Sequence, residues 1–438
     1  MKAAFHTLGC KVNQYETEAL KENFRAAGYD IVDENDFADV YVINTCTVTG
    51  LADRKSRQYI RRMKKINPDS CIAVTGCYVQ VSPDEVMDIP GVNVVAGTNE
   101  KHNLLKYISE YHGNAPEKHV REYDELAEYE ETGIITSMES RTRAYIKIEE
   151  GCNRFCSYCV IPYARGPVRS RSIAEIAEEA RRLSENGFRE IILTGINTAL
   201  YGSDFGGGAG TGKLMLEELL ACLENLAGDF RIRLSSLEPT VIDENYVRKL
   251  FRFSRLCHSM HLSLQSGSSE ILASMNRRYD REGYLRIVEA LREFDPYYGI
   301  STDIITGFPG ESEENFRDSL SLVEKAGFCK VHVFKYSQRA GTAAAEMTGQ
   351  VPPQVKKSRS ERLIEAGKET AEAFFAGNAG RTEKVLFEEE GSSGGYMTGY
   401  TGNFIRVYAV YDDKALNDFR DTVLIRPFRD GMLGEIKR

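Results

Sequence analysis

Short apolar runs alternate with amphipathic helical patterns over most of this 438-residue chain, a rhythm that favours parallel α/β layers. Within residues 1–112, buried strands are predicted at Lys2–Leu8, Asp39–Asn44, Ile72–Thr75 and Val92–Ala96. Helices are predicted at Gln14–Ala27, Leu51–Ile66 and Pro83–Asp88, the first two stopped by Gly28 and Pro68. The expected product is a doubly wound parallel sheet. Residues 113–140 are polar, partly acidic and aperiodic, which marks a linker. Alternation resumes over 141–372. Strands are predicted at Ala144–Glu149, Glu190–Leu193, Arg231–Ser235, His261–Leu264, Ile300–Ile305 and Lys330–Tyr336. Helices intervene at Ile173–Asn186, Leu214–Leu226, Glu244–Phe251, Arg281–Phe294 and Glu313–Lys325. Six such units fall short of the eight of a complete barrel, so an open, partial (βα)6 barrel is expected. Over 377–438, four short strands separated by turn residues predict a small antiparallel β-barrel. The glycine-rich stretch 206–212 has the composition of a surface loop.

Composition bounds the class. A 42% hydrophobic, 28% charged chain is ordinary for a soluble protein. No apolar stretch approaches a membrane span, and the first residues lack an apolar signal core, so no membrane partner and a cytoplasmic location are expected. Thiols stay reduced there, which makes the ten cysteines candidates for metal ligation or core packing. The net charge of −9 does not advertise a nucleic-acid binder. Local patches escape that average. Arg54, Lys55, Arg57, Arg61, Arg62, Lys64 and Lys65 crowd one helical stretch, and Lys356, Lys357, Arg359 and Arg362 another. A solvated helix face and a phosphate-binding patch both fit these runs.

Two sets of cysteines carry chemistry. Cys152, Cys156 and Cys159 form a C-x3-C-x2-C loop just after a predicted strand. Three thiolates can hold a 4Fe–4S cubane and leave one iron open to a substrate or cofactor. A structural zinc needs a fourth ligand, and no His or further Cys stands close in sequence. Cys10, Cys46 and Cys77 lie just beyond the carboxyl ends of the first three predicted strands, the edge where open α/β sheets bind ligands. Neighbouring strands are about 4.8 Å apart, so these three can converge on one small cluster. Cys71, Cys222, Cys257 and Cys329 have no comparable placement and are predicted to pack.

The context GCNRFCSYCVIP around Cys152 resembles the radical S-adenosylmethionine enzymes. The contexts TLGCKVN at Cys10, NTCTV at Cys46 and TGCYVQ at Cys77 resemble the methylthiotransferase family within them. The resemblance covers essentially the whole chain, with a terminal domain similar to a TRAM module. It implies two 4Fe–4S clusters, one on Cys152, Cys156 and Cys159 and an auxiliary one on Cys10, Cys46 and Cys77, with S-adenosylmethionine chelated at the former. It also implies a reducing electron donor and tRNA as partner. Radical chemistry at the clusters replaces acid–base catalysis, because no side chain at neutral pH can take the proton of an aromatic C–H bond.

Three branches of the family act respectively on N6-isopentenyladenosine in tRNA, on N6-threonylcarbamoyladenosine in tRNA, and on a ribosomal-protein aspartate. The stretches TLGCKVNQYETE, CYVQ and PYARGPVRSR are similar to the threonylcarbamoyladenosine branch. Lys11-Val12 stands where the isopentenyl branch has Gln-Met and the ribosomal branch Pro-Lys. The implied reaction converts the adenosine 3′ of the anticodon to its 2-methylthio derivative; the other two substrates are the alternatives. Resemblance further implies that Gly195, Asn197, Ser235, Glu238, Gln265, Arg277, Asp303 and Gly307 hold the cofactor, although each also fits a turn or cap role. Tyr158 either stacks near the adenine or packs the loop. Arg165, Arg169 and Arg171 are candidate partners for the threonylcarbamoyl carboxylate. Arg381, Lys384, Arg406 and Arg429 are candidates for phosphate, and Phe404 or Tyr400 for base stacking.

Overall fold

The computed structural model describes residues 1–113, 115–126, 129, 133, 135, 142–205, 213–390 and 395–437. The glycine-rich stretch 206–212 and most of the second half of the predicted linker therefore lie outside the described residues.

The first layer is a six-stranded sheet of Lys2–Thr7 (β1), Asp30–Val32 (β2), Val40–Thr45 (β3), Cys71–Gly76 (β4), Val94–Ala96 (β5) and Glu117–His119 (β6). Its order is β2-β1-β3-β4-β5-β6, and every pair is parallel. The run Val40-Tyr41-Val42-Ile43 shows why such strands read as unbroken apolar sequence. Val40 and Val42 join one core with Leu20 and Phe24 of helix Lys11–Ala26, while Tyr41 and Ile43 join another with Ile60 and Met63 of helix Gly50–Ile66. Helices thus cover both faces of the sheet. Strands β2 (Asp-Ile-Val) and β6 (Glu-Lys-His) escaped the sequence reading because, unlike the equally short β5, neither sits in an apolar run. Strand β6 falls inside the segment expected to be a linker, and closes the sheet edge against β5.

The central region carries Arg143–Lys147 (β7), the short antiparallel pair Glu149–Glu150 (β8) and Arg169–Ser170 (β9), then Glu190–Thr194 (β10), Arg231–Leu234 (β11), Ser236–Leu237 (β12), Ser259–Leu262 (β13), Gly299–Thr306 (β14) and Lys330–Lys335 (β15). These build two parallel sheets, β11-β10-β7 and β12-β13-β14-β15. Residues 231–237 contribute to both. Along β14, Ile300 and Ile304 enter the large core beneath the helices, whereas Ser301, Asp303 and Ile305 sit half-buried on the opposite face. Helices Ile173–Glu185 and Glu313–Ala326 begin with reciprocal capping boxes, Ser172 with Glu175 and Ser312 with Asn315.

Helix Pro353–Gly377 leads to a closed barrel of Thr382–Glu390 (β16), Tyr396–Tyr400 (β17), Arg406–Val410 (β18), Phe419–Phe428 (β19) and Gly431–Ile436 (β20), ordered β16-β17-β18-β20-β19. It has five strands rather than the four predicted. It docks on the amino ends of the central strands. Arg231 Nη2 donates to the Tyr400 carbonyl at 2.9 Å and Arg233 Nη2 to that of Thr401 at 3.1 Å. Tyr400 and Phe404, predicted as RNA-stacking candidates, stack on each other beneath the guanidinium groups of Arg143 and Arg233. They are occupied by this intramolecular seam.

Candidate active site

Each cysteine of the first set lies at a strand end, as its sequence position requires. Cys10 is the N-cap of helix Lys11–Ala26, Cys46 follows β3, and Cys77 opens the short helix Cys77–Val81 directly after β4. Gly9, at φ 116°, lets the chain pass against Cys46: a Cβ there would meet Cys46 Cβ at 2.9 Å. The three sulfurs are mutual electrostatic neighbours. Burial pushes the Cys46 thiol up to about 12 and raises Cys77 as well.

The second set occupies a loop pinned on several sides. Cys152 N–H donates to the Gly166 carbonyl at 3.0 Å, Ser157 N–H to that of Met275 at 3.1 Å, and Cys159 N–H to that of Cys156 at 2.9 Å. Phe155 takes a left-handed φ of 44° between two of the cysteines. Burial pushes Cys152 and Cys159 up to about 12 and raises Cys156. Thiols held this high lose their protons to a metal cation rather than to water, so loading iron at either set releases protons. Two donor sets of three sulfurs match the ligand type and number of a 4Fe–4S cluster with one open iron.

Several predicted cofactor residues are joined into one network beside this loop. Glu238 accepts from Asn197 Nδ2 at 2.7 Å, Arg277 Nη1 at 3.0 Å, Arg154 Nε at 3.0 Å and Thr240 Oγ1 at 3.0 Å. Arg277 also donates to Tyr158 Oη at 2.7 Å. The Gly195 backbone abuts Glu149, whose carboxylate accepts from Asn197 N–H at 2.5 Å. Burial pushes Glu149 up to about 8. Among the described residues, Glu149 Oε2 and Asn197 Oδ1 are buried without a hydrogen-bond partner, as expected of polar atoms awaiting a polar ligand. Gln265 (φ 69°) donates its N–H to the Asp303 carbonyl at 2.8 Å. The Asp303 side chain itself turns to His261 Nε2 at 3.1 Å. Ser235 is buried at the β11–β12 junction. Gly307 forms a turn held by Glu311 at 2.7 Å and packs on Lys356.

The structure redirects the three arginines after the loop. Arg165, Arg169 and Arg171 are all fully buried rather than available to substrate. Arg171 pairs with Glu179 at 2.5 Å, and Arg169 donates to the Arg165 carbonyl at 3.0 Å. Arg165 bridges the two cysteine-bearing regions. Its Nε donates to Cys77 Sγ at 3.1 Å, and its Nη1 to Glu16 at 2.6 Å and Glu150 at 3.1 Å. Lys101 and Lys147 join the same carboxylates. Three cations against two carboxylates leave one positive charge beside Cys77, which works against the burial that raises its thiol. Sequence spacing gave no sign of this network, because its members come from five separate segments.

Comparison with known proteins agrees with this geometry. Residues 2–97 match the Uncharacterized protein family UPF0004 and residues 146–323 the Radical SAM superfamily. The threonylcarbamoyladenosine tRNA methylthiotransferase MtaB of Bacillus subtilis is 42% identical over 92% of this chain and 89% of its own length. Its counterpart from Aquifex aeolicus is 39% identical over 89% and 93%. A tRNA-2-methylthio-N(6)-dimethylallyladenosine synthase of Clostridium botulinum is 34% identical over 98% and 95%. In fold alone, the chain is similar to the radical S-adenosylmethionine methyltransferase TsrM from Kitasatospora setae, with a TM-score of 0.58, 15% identity, and coverage of 78% and 77%. With two sets of three converging cysteines and identity of this extent, the chain belongs to the methylthiotransferase family of radical S-adenosylmethionine enzymes, alongside the threonylcarbamoyladenosine tRNA methylthiotransferases.

Proposed function

We propose that this enzyme converts N6-threonylcarbamoyladenosine next to the tRNA anticodon to its 2-methylthio derivative. The observation that carries the reading is 42% identity to a threonylcarbamoyladenosine tRNA methylthiotransferase over nearly the whole chain. The dimethylallyladenosine synthases follow at 34–35%. The central parallel strands, with β11 and β12 taken as one continuous strand, form the open (βα)6 barrel of this reading, and the closed C-terminal barrel is its TRAM-like module. The working division is 1–112 for the auxiliary-cluster domain, 113–140 for the linker, 141–372 for the radical domain and 377–438 for the RNA-binding barrel, with β6 belonging physically to the first sheet.

Cys152, Cys156 and Cys159 hold the cluster that binds S-adenosylmethionine, and Cys10, Cys46 and Cys77 hold the auxiliary cluster. When bound, these groups supply radical chemistry and the sulfur to be installed. The protein's part is to orient the cofactor and exclude water. Glu149, Gly195, Asn197 and Glu238 face the cofactor's polar groups, while Arg277 fixes Glu238 and the Tyr158 hydroxyl. Ser235, Gln265, Asp303 and Gly307 complete the strand-end wall. Arg54, Lys55, Arg61, Arg62 and Lys65 are exposed on helix Gly50–Ile66, a few residues beyond Cys46, and supply phosphate contacts. A reducing electron donor and a cytoplasmic setting complete the reading; no described helix is long and apolar enough to cross a membrane.

Nucleoside mass spectrometry tests this directly. Anaerobically reconstituted protein, incubated with reductant, S-adenosylmethionine and tRNA bearing threonylcarbamoyladenosine, should yield the 2-methylthio nucleoside. Two clusters predict about eight irons per chain, falling to about four in Cys46→Ser with loss of product. Product from isopentenyladenosine tRNA alone would instead move the enzyme to the other tRNA branch.

A further inference from the structure

Arg165 ties Cys77 to the central region through its sulfur. The turn after Cys46 is tied to the same region by a route that reaches no sulfur. Cys46, Thr47, Val48 and Thr49 connect β3 to helix Gly50–Ile66. Thr47 is fully buried, and Asp53, in the first turn of that helix, is nearly so. Arg339, which follows β15, reaches both, with only 14% of its own side chain exposed. Its Nη1 donates to Asp53 Oδ2 at 2.7 Å and its Nη2 to Thr47 Oγ1 at 2.5 Å. Among the described residues Asp53 has no other ion pair, and its Oδ1 has no hydrogen-bond partner. The carboxylate therefore depends on Arg339 for its charge balance. A Cβ on Gly50 would lie 3.7 Å from Arg339 Nη1, so the guanidinium packs directly on the start of the helix.

The backbone behind Arg339 is equally constrained. The Arg339 carbonyl accepts from Thr342 N–H at 3.2 Å and from Thr342 Oγ1 at 2.7 Å. Gly341 takes the φ of 80° that such a turn needs at its third residue. Two residues beyond Thr342, Ala344 N–H donates to the Ser157 carbonyl at 2.7 Å, between Cys156 and Cys159. Ala344 is fully buried in a core with Met275, Phe308 and Tyr336, against which Tyr158 packs. The side chains of Gln338 and Gln350 donate to the Ala345 and Ala344 carbonyls at 2.8 and 3.0 Å, which closes the segment on itself. Residues 339–344 therefore hold the turn after Cys46 at one end and the loop carrying Cys156 and Cys159 at the other.

The consequence is geometric. An enzyme that activates a substrate carbon at one cysteine set and takes its sulfur from the other depends on their separation, because a misplacement of about 1 Å can cost about a hundredfold in rate. Arg339 touches none of the six cysteines among the described contacts; it acts through Thr47 and Asp53 on the turn that carries Cys46.

We propose that Arg339 is a positioning residue: it holds the Cys46 turn at a fixed place relative to the Cys152–Cys159 loop, so that activation at one set is matched by sulfur delivery from the other. The inference goes beyond the function proposed above and rests on it.

The test compares the reconstituted full-length wild type with Arg339→Lys, Thr47→Val and the double variant Arg339→Met with Asp53→Asn. The double variant removes both charges together and leaves no buried carboxylate unpaired. Two quantities are read: amide hydrogen exchange over residues 46–53, and the 2-methylthio product formed per 5′-deoxyadenosine, the product of S-adenosylmethionine cleavage. The double variant should exchange about tenfold faster over 46–53, the scale of one charge-assisted hydrogen bond, with exchange over 152–159 unchanged. It should cleave S-adenosylmethionine at the wild-type rate while product per deoxyadenosine falls about tenfold. Arg339→Lys keeps a charge for Asp53 but lacks the fork that also reaches Thr47, so it should unfold like the wild type and still show the low ratio. Thr47→Val removes one bond and no charge, and it decides the matter if the double variant loses iron. Wild-type exchange in the double variant, or faster exchange with an unchanged ratio, overturns the positioning role. Full rescue by Arg339→Lys does so too, because charge balance alone would then explain the pair. Loss of iron from all three variants would mark a brace of the fold and overturn it as well. A wild type that makes no 2-methylthio nucleoside sinks the function and the inference together, whereas product made by every variant at the wild-type ratio sinks the inference alone.

Discussion

At the scale of single residues, Arg165 is the side chain on which most contacts converge. It is fully buried and touches Cys77, Glu16, Glu150 and Asn13. Arg165→Met strips the carboxylates of a partner, and breaking a buried pair in this way costs about 3–5 kcal/mol. Denaturant unfolding should show that loss, and iron analysis should show fewer irons retained. Arg165→Lys should not restore them, because an ammonium cannot span a sulfur and two carboxylates at once. Glu149 gives a pH signature. Its folded pKa is raised from 4.5 to about 8, so the folded state keeps a proton that the unfolded state has lost. Its contribution to stability therefore declines as pH rises from about 4.5 to 8 and levels off above. Glu149→Gln removes that decline. The gap in unfolding free energy between variant and wild type should shift in the variant's favour across that window, and a constant gap would refute the assignment.

Elements explain why the cysteines arrive where they do. Parallel strands end on one edge, and the turns after β1, β3 and β4 each carry one cysteine. That much was legible from the sequence, since apolar runs locate the strands and a cysteine stands within three residues past each run. Close approach of the turns was not legible. Gly9 sits at φ 116° against Cys46, a conformation that strains any L-residue by about 1–3 kcal/mol. Gly9→Ala should lower iron content at the first cysteine set by pushing Cys46 aside. Ser172→Ala, which removes a helix cap remote from both sets, should cost about 1 kcal/mol of stability and leave iron content alone. Equal iron loss in both would mean that the first turn is not specially constrained.

Across the whole molecule, the seam between the central strands and the C-terminal barrel rests on a buried charge. Glu190 is fully buried, and Arg231 and Arg233 hold its carboxyl well below the usual range against the cost of burial. The same two arginines donate to the Tyr400 and Thr401 carbonyls. A depressed carboxyl stabilises the fold above about pH 4.5 and loses that contribution as pH falls through its folded value. Glu190→Gln should therefore destabilise the protein at neutral pH by about 3 kcal/mol, less in acid. Limited proteolysis should then cut within or beside helix Pro353–Gly377, releasing the barrel. An unchanged digestion pattern would show that the seam holds by apolar packing alone.

The order of the α/β layers, the terminal barrel and the six candidate sulfur ligands can be read from the sequence by itself, because strand period, strand-end position and cysteine spacing are local properties of a chain. Strands β2 and β6, which have no apolar run, lay below that signal. The roles of the arginines and of Tyr400 and Phe404 were decided only by tertiary structure. A charge is free or spent according to what folds beside it, and Arg165 finds Cys77 and Glu16 across 88 and 149 residues of chain. Sequence distance carries no record of such pairings; the low dielectric of the folded interior creates them.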